Sequence, residues 1–74
     1  MIIYKGIHPS GVKAEIVENN NDYEWFISSE DGQKTFNGVE HDLKQAKRNV
    51  KEKLTYVTLK KEFWRSKISW VQEK

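Results

Sequence analysis

Two stretches in the first half of the chain alternate apolar and polar positions with the two-residue period of a half-buried β-strand. Residues 12–17 follow this pattern, and residues 23–29 follow it as well, although Phe26 interrupts the alternation. The run Asn19–Asp22 between them favours a turn, because Asn and Asp tolerate left-handed backbone and hydrogen-bond to their own main chain. The pattern predicts two antiparallel strands over 12–17 and 23–29.

The turn at 19–22 also fixes the pairing of these two strands. A four-residue loop places Ile16 opposite Trp25 and Ala14 opposite Ile27. All four side chains then share one face, as a sheet with a single core requires.

A second turn leads to a third strand. The dipeptide Asp31-Gly32 is preferred in two-residue type I′ hairpins. Pairing around it places Ile27 opposite Phe36, on the same face as before. The sequence therefore predicts a third antiparallel strand over 33–37.

The first residues of the chain predict a further strand. A tight loop over residues 8–11 places Ile7 opposite Val12 and Ile3 opposite Ile16. This register also turns Lys5 toward the core. A lysine near the edge of a sheet can still extend its ammonium group to water.

The apolar period then changes to three and four residues, which predicts one stripe along a helix. The stripe consists of Leu43, Ala46, Val50, Leu54 and Val57. Asp42 followed by Gln45 fits a capping box, and Gly38 is expected to end the preceding strand. We expect the stripe to pack on the apolar sheet face.

The C-terminal segment supports two interpretations. Apolar residues recur every seven positions, at 43, 50, 57, 64 and 71. Lys53, Lys60 and Lys67 occupy most intervening seam positions, which argues against a coiled coil. A second, shorter helix near 59–71 is favoured, and a strand at 67–72 is the alternative.

The predicted fold class is therefore α+β: an antiparallel meander of three to four strands, a helix packed on one face, and a Trp-rich C-terminal segment, helical or strand. The 74 residues have room for a single domain, 1–74, with one core.

Cysteine is absent, which excludes disulfides and thiolate metal sites. The first residues become polar too soon for a signal peptide, and no apolar run reaches the roughly 20 residues of a membrane span. We expect a cytoplasmic protein.

The positive charge is concentrated in the second half of the chain. Residues 1–36 carry three lysines and six carboxylates, and residues 37–74 carry ten Lys or Arg and five carboxylates. The two halves thus carry −3 and +5, which sum to the net charge of +2. Eleven of the thirteen cations are lysine, whose point charge favours non-specific attraction over bidentate base contacts.

The sequence contains none of the residue groupings that catalysis requires. His8 and His41 are the only histidines; neither has metal-ligand spacing, and both are expected to be solvated. The glycines are scattered and form no phosphate-binding loop. We therefore expect no enzymatic activity, no metal and no cofactor.

Aromatic residues exceed what the predicted core requires, and they predict a protein-binding surface. A Trp beside Arg is typical of interface hot spots. The candidate protein-binding residues are Phe26, Phe63, Trp64, Arg65 and Trp70. The alternative is that the C-terminal segment folds back and buries these rings itself.

A basic helix face predicts a second kind of site. Its candidate nucleic-acid-binding residues are Lys44, Lys47, Arg48, Lys51, Lys60 and Lys61. Lysines near phosphates add salt-dependent affinity, and aromatic rings among them suit stacking on single-stranded bases. The alternative is an ordinary solvated helix face.

The sequence favours a small protein-binding regulator, an inhibitor or accessory factor of a phage or mobile element. This interpretation rests on the surplus aromatic residues, the missing catalytic groups, and Lys, Asn and Ile usage typical of AT-rich coding. The alternative function is a nucleic-acid-binding accessory protein using the basic helix. A homodimer is a further expectation, and no membrane partner is expected.

Overall fold

The structure, a computed structural model, describes residues 1–58 and 60–73. Its elements, in chain order, are β1 (Ile2–Ile7), β2 (Lys13–Asn19), β3 (Asp22–Ser28), β4 (Thr35–Glu40), α1 (Leu43–Val57), a 3₁₀ turn (Lys61–Phe63) and β5 (Ser69–Glu73). The strands form one antiparallel sheet in the order β4-β3-β2-β1-β5. The α+β class is confirmed: β1 to β4 form a four-stranded meander, and β5, from the C-terminal segment, adds a fifth strand to the sheet.

The central hairpin has the predicted register, but its loop has two residues rather than four, because Asn19 pairs with Asp22. Ile16 lies opposite Trp25 and Ala14 opposite Ile27. The chain turns through Asn20, whose φ of 59° is a left-handed conformation that asparagine tolerates well. Since the turn chemistry lies next to the paired residues, it sets the register without help from distant parts of the chain.

The β3–β4 hairpin also has the predicted register but a longer loop. Ile27 lies opposite Phe36, whereas the hairpin closes with Ser29 N–H donating to Lys34 O at 2.9 Å. Asp31 is therefore not part of a two-residue type I′ turn. Its carboxylate accepts hydrogen bonds from Ser29 Oγ at 2.6 Å and from Gln33 N–H at 3.0 Å.

The predicted register of β1 is wrong by one residue. Tyr4 lies opposite Ile16 and Gly6 opposite Ala14, and a shift of one residue exchanges the faces of a strand. Glycine is required at position 6, because a Cβ there would lie 2.8 Å from Ile68 Cγ2 and 2.9 Å from Ala14 Cβ. Lys5 consequently points to solvent rather than toward the core.

The same shift places Ile3 and Ile7 on the face opposite the core, where Ile7 is exposed. Lys5 Nζ lies 3.6 Å from Glu15 Oε2 on this face. We call it the open face, because no element among the described residues covers it.

Gly38 lies inside β4 rather than ending a strand. It is paired with Trp25 of β3, and a Cβ at this position would lie 2.6 Å from Trp25 Cζ2. The glycine thus lets the indole ring lie directly against the neighbouring backbone, and β4 continues to Glu40.

The core lies between α1 and the sheet face that carries Ile16 and Ile27. Its buried apolar residues come from β2 and the residue before it, from β3 and from α1, and they are Val12, Ala14, Ile16, Trp25, Ile27, Ala46, Val50, Leu54 and Val57. Helix α1 lies across β3 and β4 and reaches β2. Among the described residues, no helix is both long and apolar enough to cross a membrane.

Only half of the predicted capping box forms at the start of α1. Asp42 Oδ1 accepts a hydrogen bond from Lys44 N–H at 3.3 Å. The Gln45 side chain does not return to Asp42 but donates to Asn49 Oδ1 at 2.9 Å, and Asn49 donates to Glu40 Oε2 at 2.7 Å. These contacts connect the helix to the end of β4.

The C-terminal segment does not form the favoured helix over 59–71. Lys61–Phe63 makes a single 3₁₀ turn, and Ser69–Glu73 forms β5 on the free edge of β1; Leu59, the first residue of that predicted range, lies outside the described residues. The strand alternative at 67–72 overlaps β5. An unpaired edge of β1 offers five residues of backbone pairing that a helix would forgo.

The expectation that both histidines are solvated is wrong for His8. This residue is buried, and its Nε2–H donates to the carbonyl oxygen of Ser66 at 3.1 Å. Nδ1 then accepts from Ser10 Oγ at 2.7 Å and from Ser10 N–H at 3.3 Å. His41 is exposed, and its Nδ1 lies 2.6 Å from Asp22 Oδ1.

Candidate functional site

A groove runs along the edge of the helix layer. Helix α1 packs on the core-side face of β2, β3 and β4. It does not cover the core-side face of β1 and β5. The groove has a volume of about 340 Å³. It is lined by Lys44, Lys47, Arg48, Lys51, Ser66, Lys67, Ile68 and Trp70, and we call it the basic groove.

The helical period brings four of these cations to one side of α1. Lys44, Lys47, Arg48 and Lys51 are spaced by three and four residues, which places them on adjacent turns of one stripe. The stripe borders the buried stripe on the side that faces β5. Lys67, which precedes β5, adds a fifth cation from the opposite wall.

The positive charge of the basic groove is not compensated by its described lining. None of the described residues that line it is a carboxylate. Among the described residues, the ion pairs are Lys5–Glu15 and His41–Asp22, and neither involves the groove. Five cations held this close together repel one another, and a bound anion relieves that repulsion.

The length of the row of cations on α1 can be compared with the spacing of phosphates in a nucleic acid strand. Lys44 and Lys51 are separated by two turns of α1, about 10 Å at 1.5 Å per residue. Successive phosphates of one strand of B-form DNA advance about 3.4 Å along the axis. The row of cations therefore spans about three phosphate steps.

An apolar wall stands beside the cations. Trp70 is half-buried and packs against the core together with Ile68. It lies opposite Gly6, whose missing side chain leaves room for the indole ring. The groove therefore combines a row of charges with one partly accessible aromatic ring.

Tyr4 of β1 lies close to Lys47, one of the cations of the basic groove. Lys47 Nζ lies 5.9 Å from the centre of the Tyr4 ring, a cation–π distance. Burial raises the pKa of Tyr4 above its ordinary value of 10.0, and the negative charge of Glu18 adds to the effect. The ring therefore remains neutral under the lysine.

The hydrogen bond between His8 and Ser66 positions the side of the groove that lies opposite α1. By donating to the Ser66 carbonyl, His8 joins the β1–β2 loop to the segment that carries Lys67 and Ile68. Ser66, Ile68 and the role of His8 were not predicted from the sequence, because a partly buried contact between residues 58 positions apart leaves no local signal.

The structure does not bring the five predicted protein-binding residues to one surface. Phe26 lies on the open face, opposite Glu15, whereas Trp70 lies on the face of the sheet that carries the core. Trp64 is 41% exposed, and its indole N–H donates to Thr58 O at 3.3 Å. Phe63 is half-buried and Arg65 is exposed.

The six predicted nucleic-acid-binding residues divide into two groups. Lys44, Lys47, Arg48 and Lys51 line the basic groove, whereas Lys60 and Lys61 lie outside its lining. Lys61 Nζ instead lies 5.8 Å from the centre of the Trp64 ring.

No grouping of three or more His, Cys, Asp or Glu residues suited to a metal ion occurs in the part of the chain that the structure describes. Searches of protein-family models, of curated proteins and of solved structures gave no match to this chain.

Proposed function

We propose that the protein is a small non-enzymatic binding protein that holds a strand of nucleic acid in the basic groove. The observation that carries this proposal is the convergence of five cations, four from α1 and one from the segment before β5, on one groove whose described lining residues include no carboxylate. Phosphate contacts supply most of the affinity of proteins that bind nucleic acids with little sequence preference. The lysine-rich lining suits such contacts.

Trp70 supports nucleic acid over an anionic polypeptide as the ligand. An indole ring beside a row of cations provides a stacking surface for a base, while the cations contact the backbone. An acidic peptide would use the cations but would gain nothing comparable from the ring. We therefore expect oligonucleotides to bind more tightly than a polyanion that lacks bases.

The protein-binding regulator remains a prediction from the sequence, as do an inhibitory role and an origin in a phage or mobile element. Two of its five residues, Phe26 and Trp70, lie on opposite faces of the sheet, so that one partner would have to contact both faces. The basic groove requires no such arrangement, and for this reason we favour nucleic acid as the ligand.

The proposal is tested by the binding of a fluorescently labelled single-stranded oligonucleotide, followed by anisotropy. The variant Lys44→Glu/Lys51→Glu reverses two exposed charges of the groove, and we expect it to lower the affinity by about tenfold or more. Lys60→Glu/Lys61→Glu makes the same change in net charge outside the groove lining, and it should bind nearly as tightly as the wild type.

Two outcomes contradict the proposal. The first is an equal loss of affinity in both double variants, because binding would then follow net charge rather than the groove. The second is displacement of the oligonucleotide by polyglutamate at an equal concentration of negative charges, because the bases would then contribute nothing.

A further inference from the structure

The open face of the sheet carries more apolar surface than a solvated sheet face requires. Antiparallel sheets with one buried face present polar residues on the other. Here Ile7 is 60%, Val39 54%, Val71 47% and Phe26 38% exposed, and all four side chains project from the open face. We propose that this face is the contact surface of a homodimer, in which two copies stack their open faces about a two-fold axis.

The charges of the open face are arranged in a self-complementary way. Glu24 and Glu73 lie in the same cross-strand row as Ile3, near one end of the strands. Lys13 lies at the other end, in the row that contains Ile7. The face is therefore acidic at one end and basic at the other.

A two-fold axis between the faces and perpendicular to the strands reverses the strand direction of the second copy. The acidic row of each copy then lies over the basic row of the other, and Ile3 of one copy approaches Ile7 of the other. Glu24 and Lys13 belong to neighbouring strands, β3 and β2, so they meet across the interface when the sheets cross at about 30°. Such a contact uses the same surface twice, as two-fold interfaces do.

The middle row of the face suits the position of the axis. It contains Phe26, Val71 and the Lys5–Glu15 pair. In the dimer Phe26 and Val71 lie near their own counterparts, and Lys5 of each copy lies one strand away from Glu15 of the other copy as well as from its own Glu15. A depression of about 610 Å³ beside Phe26 leaves space for side chains of the second copy.

The composition of the face disfavours a nucleic acid as its occupant. Its carboxylates, Glu15, Glu24 and Glu73, outnumber Lys5 and Lys13 among the described residues, which is the reverse of the basic groove. Stacking through this face leaves the basic groove of each copy on the outside of the dimer. The inference is therefore independent of the proposed function.

The size of the face predicts a weak dimer. Five strands about 4.8 Å apart and about 20 Å long cover about 500 Å² per copy. Two copies bury about 1,000 Å², near the lower limit for a specific interface, and the corresponding dissociation constant is on the order of micromolar.

Sedimentation velocity over protein concentrations from about 5 to about 500 μM tests the proposal, because this range brackets a dissociation constant of that order. The mass should rise from one chain toward two. Phe26→Glu should keep the protein at one chain throughout, whereas Tyr56→Glu, a matched change at a 60% exposed aromatic residue of α1, should dimerise like the wild type.

A pair of charge reversals tests the two-fold geometry without changing the apolar surface. Lys13→Glu and Glu24→Lys should each raise the dissociation constant by about tenfold, and the double variant should restore it. Within one chain Lys13 lies opposite Ser28, four residues along β3 from Glu24, or about 13 Å. The restoration therefore reports a contact between chains.

Three results overturn the inference: a wild-type protein of one chain at every concentration, a dimer that Phe26→Glu leaves unchanged, or a double reversal that fails to restore association. Circular dichroism of each variant shows whether it is folded. If Phe26→Glu does not fold, the charge variants decide, since both Lys13 and Glu24 are exposed.

Discussion

At the scale of single residues, His8 makes the contact with the clearest structural consequence. Both of its ring nitrogens are hydrogen-bonded, one within the 8–10 turn and one to Ser66 across the fold. A buried polar group whose partners are all present stabilises a fold, and removal of one partner leaves the others unpaired. His8 therefore determines how firmly the C-terminal segment is attached to the sheet.

We predict that His8→Ala lowers the free energy of unfolding by about 1–3 kcal/mol, because it removes the donor to the carbonyl of Ser66 and the acceptor for the O–H of Ser10. The effect should appear in urea denaturation and in faster hydrogen exchange of the β5 amides. His41→Ala is the matched control, since its side chain is 89% exposed, and it should change stability by at most about 0.5 kcal/mol. Equal effects of the two variants would contradict this role of His8.

Asp31 gives the β3–β4 loop a dependence on pH. The hydrogen bond from Ser29, together with that from the Gln33 backbone, lowers the pKa of Asp31 below its ordinary value of 3.8. A carboxylate whose pKa is lower in the folded state stabilises that state above its unfolded pKa, and the contribution disappears as the pH falls through the folded pKa.

We therefore predict that the loop loosens only when the pH falls below about 3.8, the ordinary pKa of an aspartate. NMR titration of the Ser29 and Gln33 amides measures the transition directly. Asp31→Asn should abolish it, and Glu30→Gln, a change at the adjacent exposed carboxylate, should leave it in place. If the transition persisted in Asp31→Asn, a group other than Asp31 would be responsible for it.

At the scale of elements, β5 is the strand on which the basic groove depends. It pairs with the edge of β1 and places Trp70 opposite Gly6, beside the cations of α1. The helix contributes most of the charge and the strand contributes the aromatic wall. The two elements should therefore affect binding in different ways.

We predict that Trp70→Leu weakens oligonucleotide binding by about 1–3 kcal/mol, the contribution of one stacked base, without changing the salt dependence. Leucine retains an apolar contact with the core, and the melting temperature of the variant reports how much packing is lost. Trp64→Leu is the control, because Trp64 lies outside the groove lining and should bind like the wild type. If Trp64→Leu lowered the affinity more than Trp70→Leu, the aromatic contact with the nucleic acid would lie at the 3₁₀ turn rather than in the groove.

The elements also show which features a sequence pattern predicts and which it does not. The registers of β2, β3 and β4 were predictable because each depends on a short turn next to the paired residues. The register of β1 was not, because the close approach of Ile68 and Trp70 to Gly6 decides it from the far end of the chain. For the same reason a helix was favoured over the strand alternative at 67–72, since the partner of β5 is the edge of β1.

The candidate site was predictable to a similar extent. Helical spacing alone indicated the four cations Lys44, Lys47, Arg48 and Lys51. The spacing of residues along the helix could not show that α1 leaves the core-side face of β1 and β5 uncovered. The groove exists because α1 lies to one side of these two strands. It also grouped Lys60 and Lys61 with the helix, although a turn carries Lys61 to the ring of Trp64.

At the scale of the whole molecule, charge and apolar surface are divided between opposite sides of the sheet. The basic groove lies on the side of α1, and the apolar open face lies on the other side. A dimer joined through the open faces would present two grooves outward. This arrangement would allow one nucleic acid to be bound by several dimers, each at its own short stretch.

The dependence of oligonucleotide affinity on salt concentration tests the central claim most directly. If all five cations of the basic groove contact phosphates of a single strand, the logarithm of the binding constant should fall with the logarithm of the salt concentration with a slope of about −3.5. Lys44→Glu/Lys51→Glu should make this slope shallower by about 1.4, that is, about 0.7 for each lost contact, whereas Lys60→Glu/Lys61→Glu should leave it unchanged. A slope near zero in the wild type, or one that flattens equally in both double variants, would contradict the assignment of nucleic-acid binding to this groove.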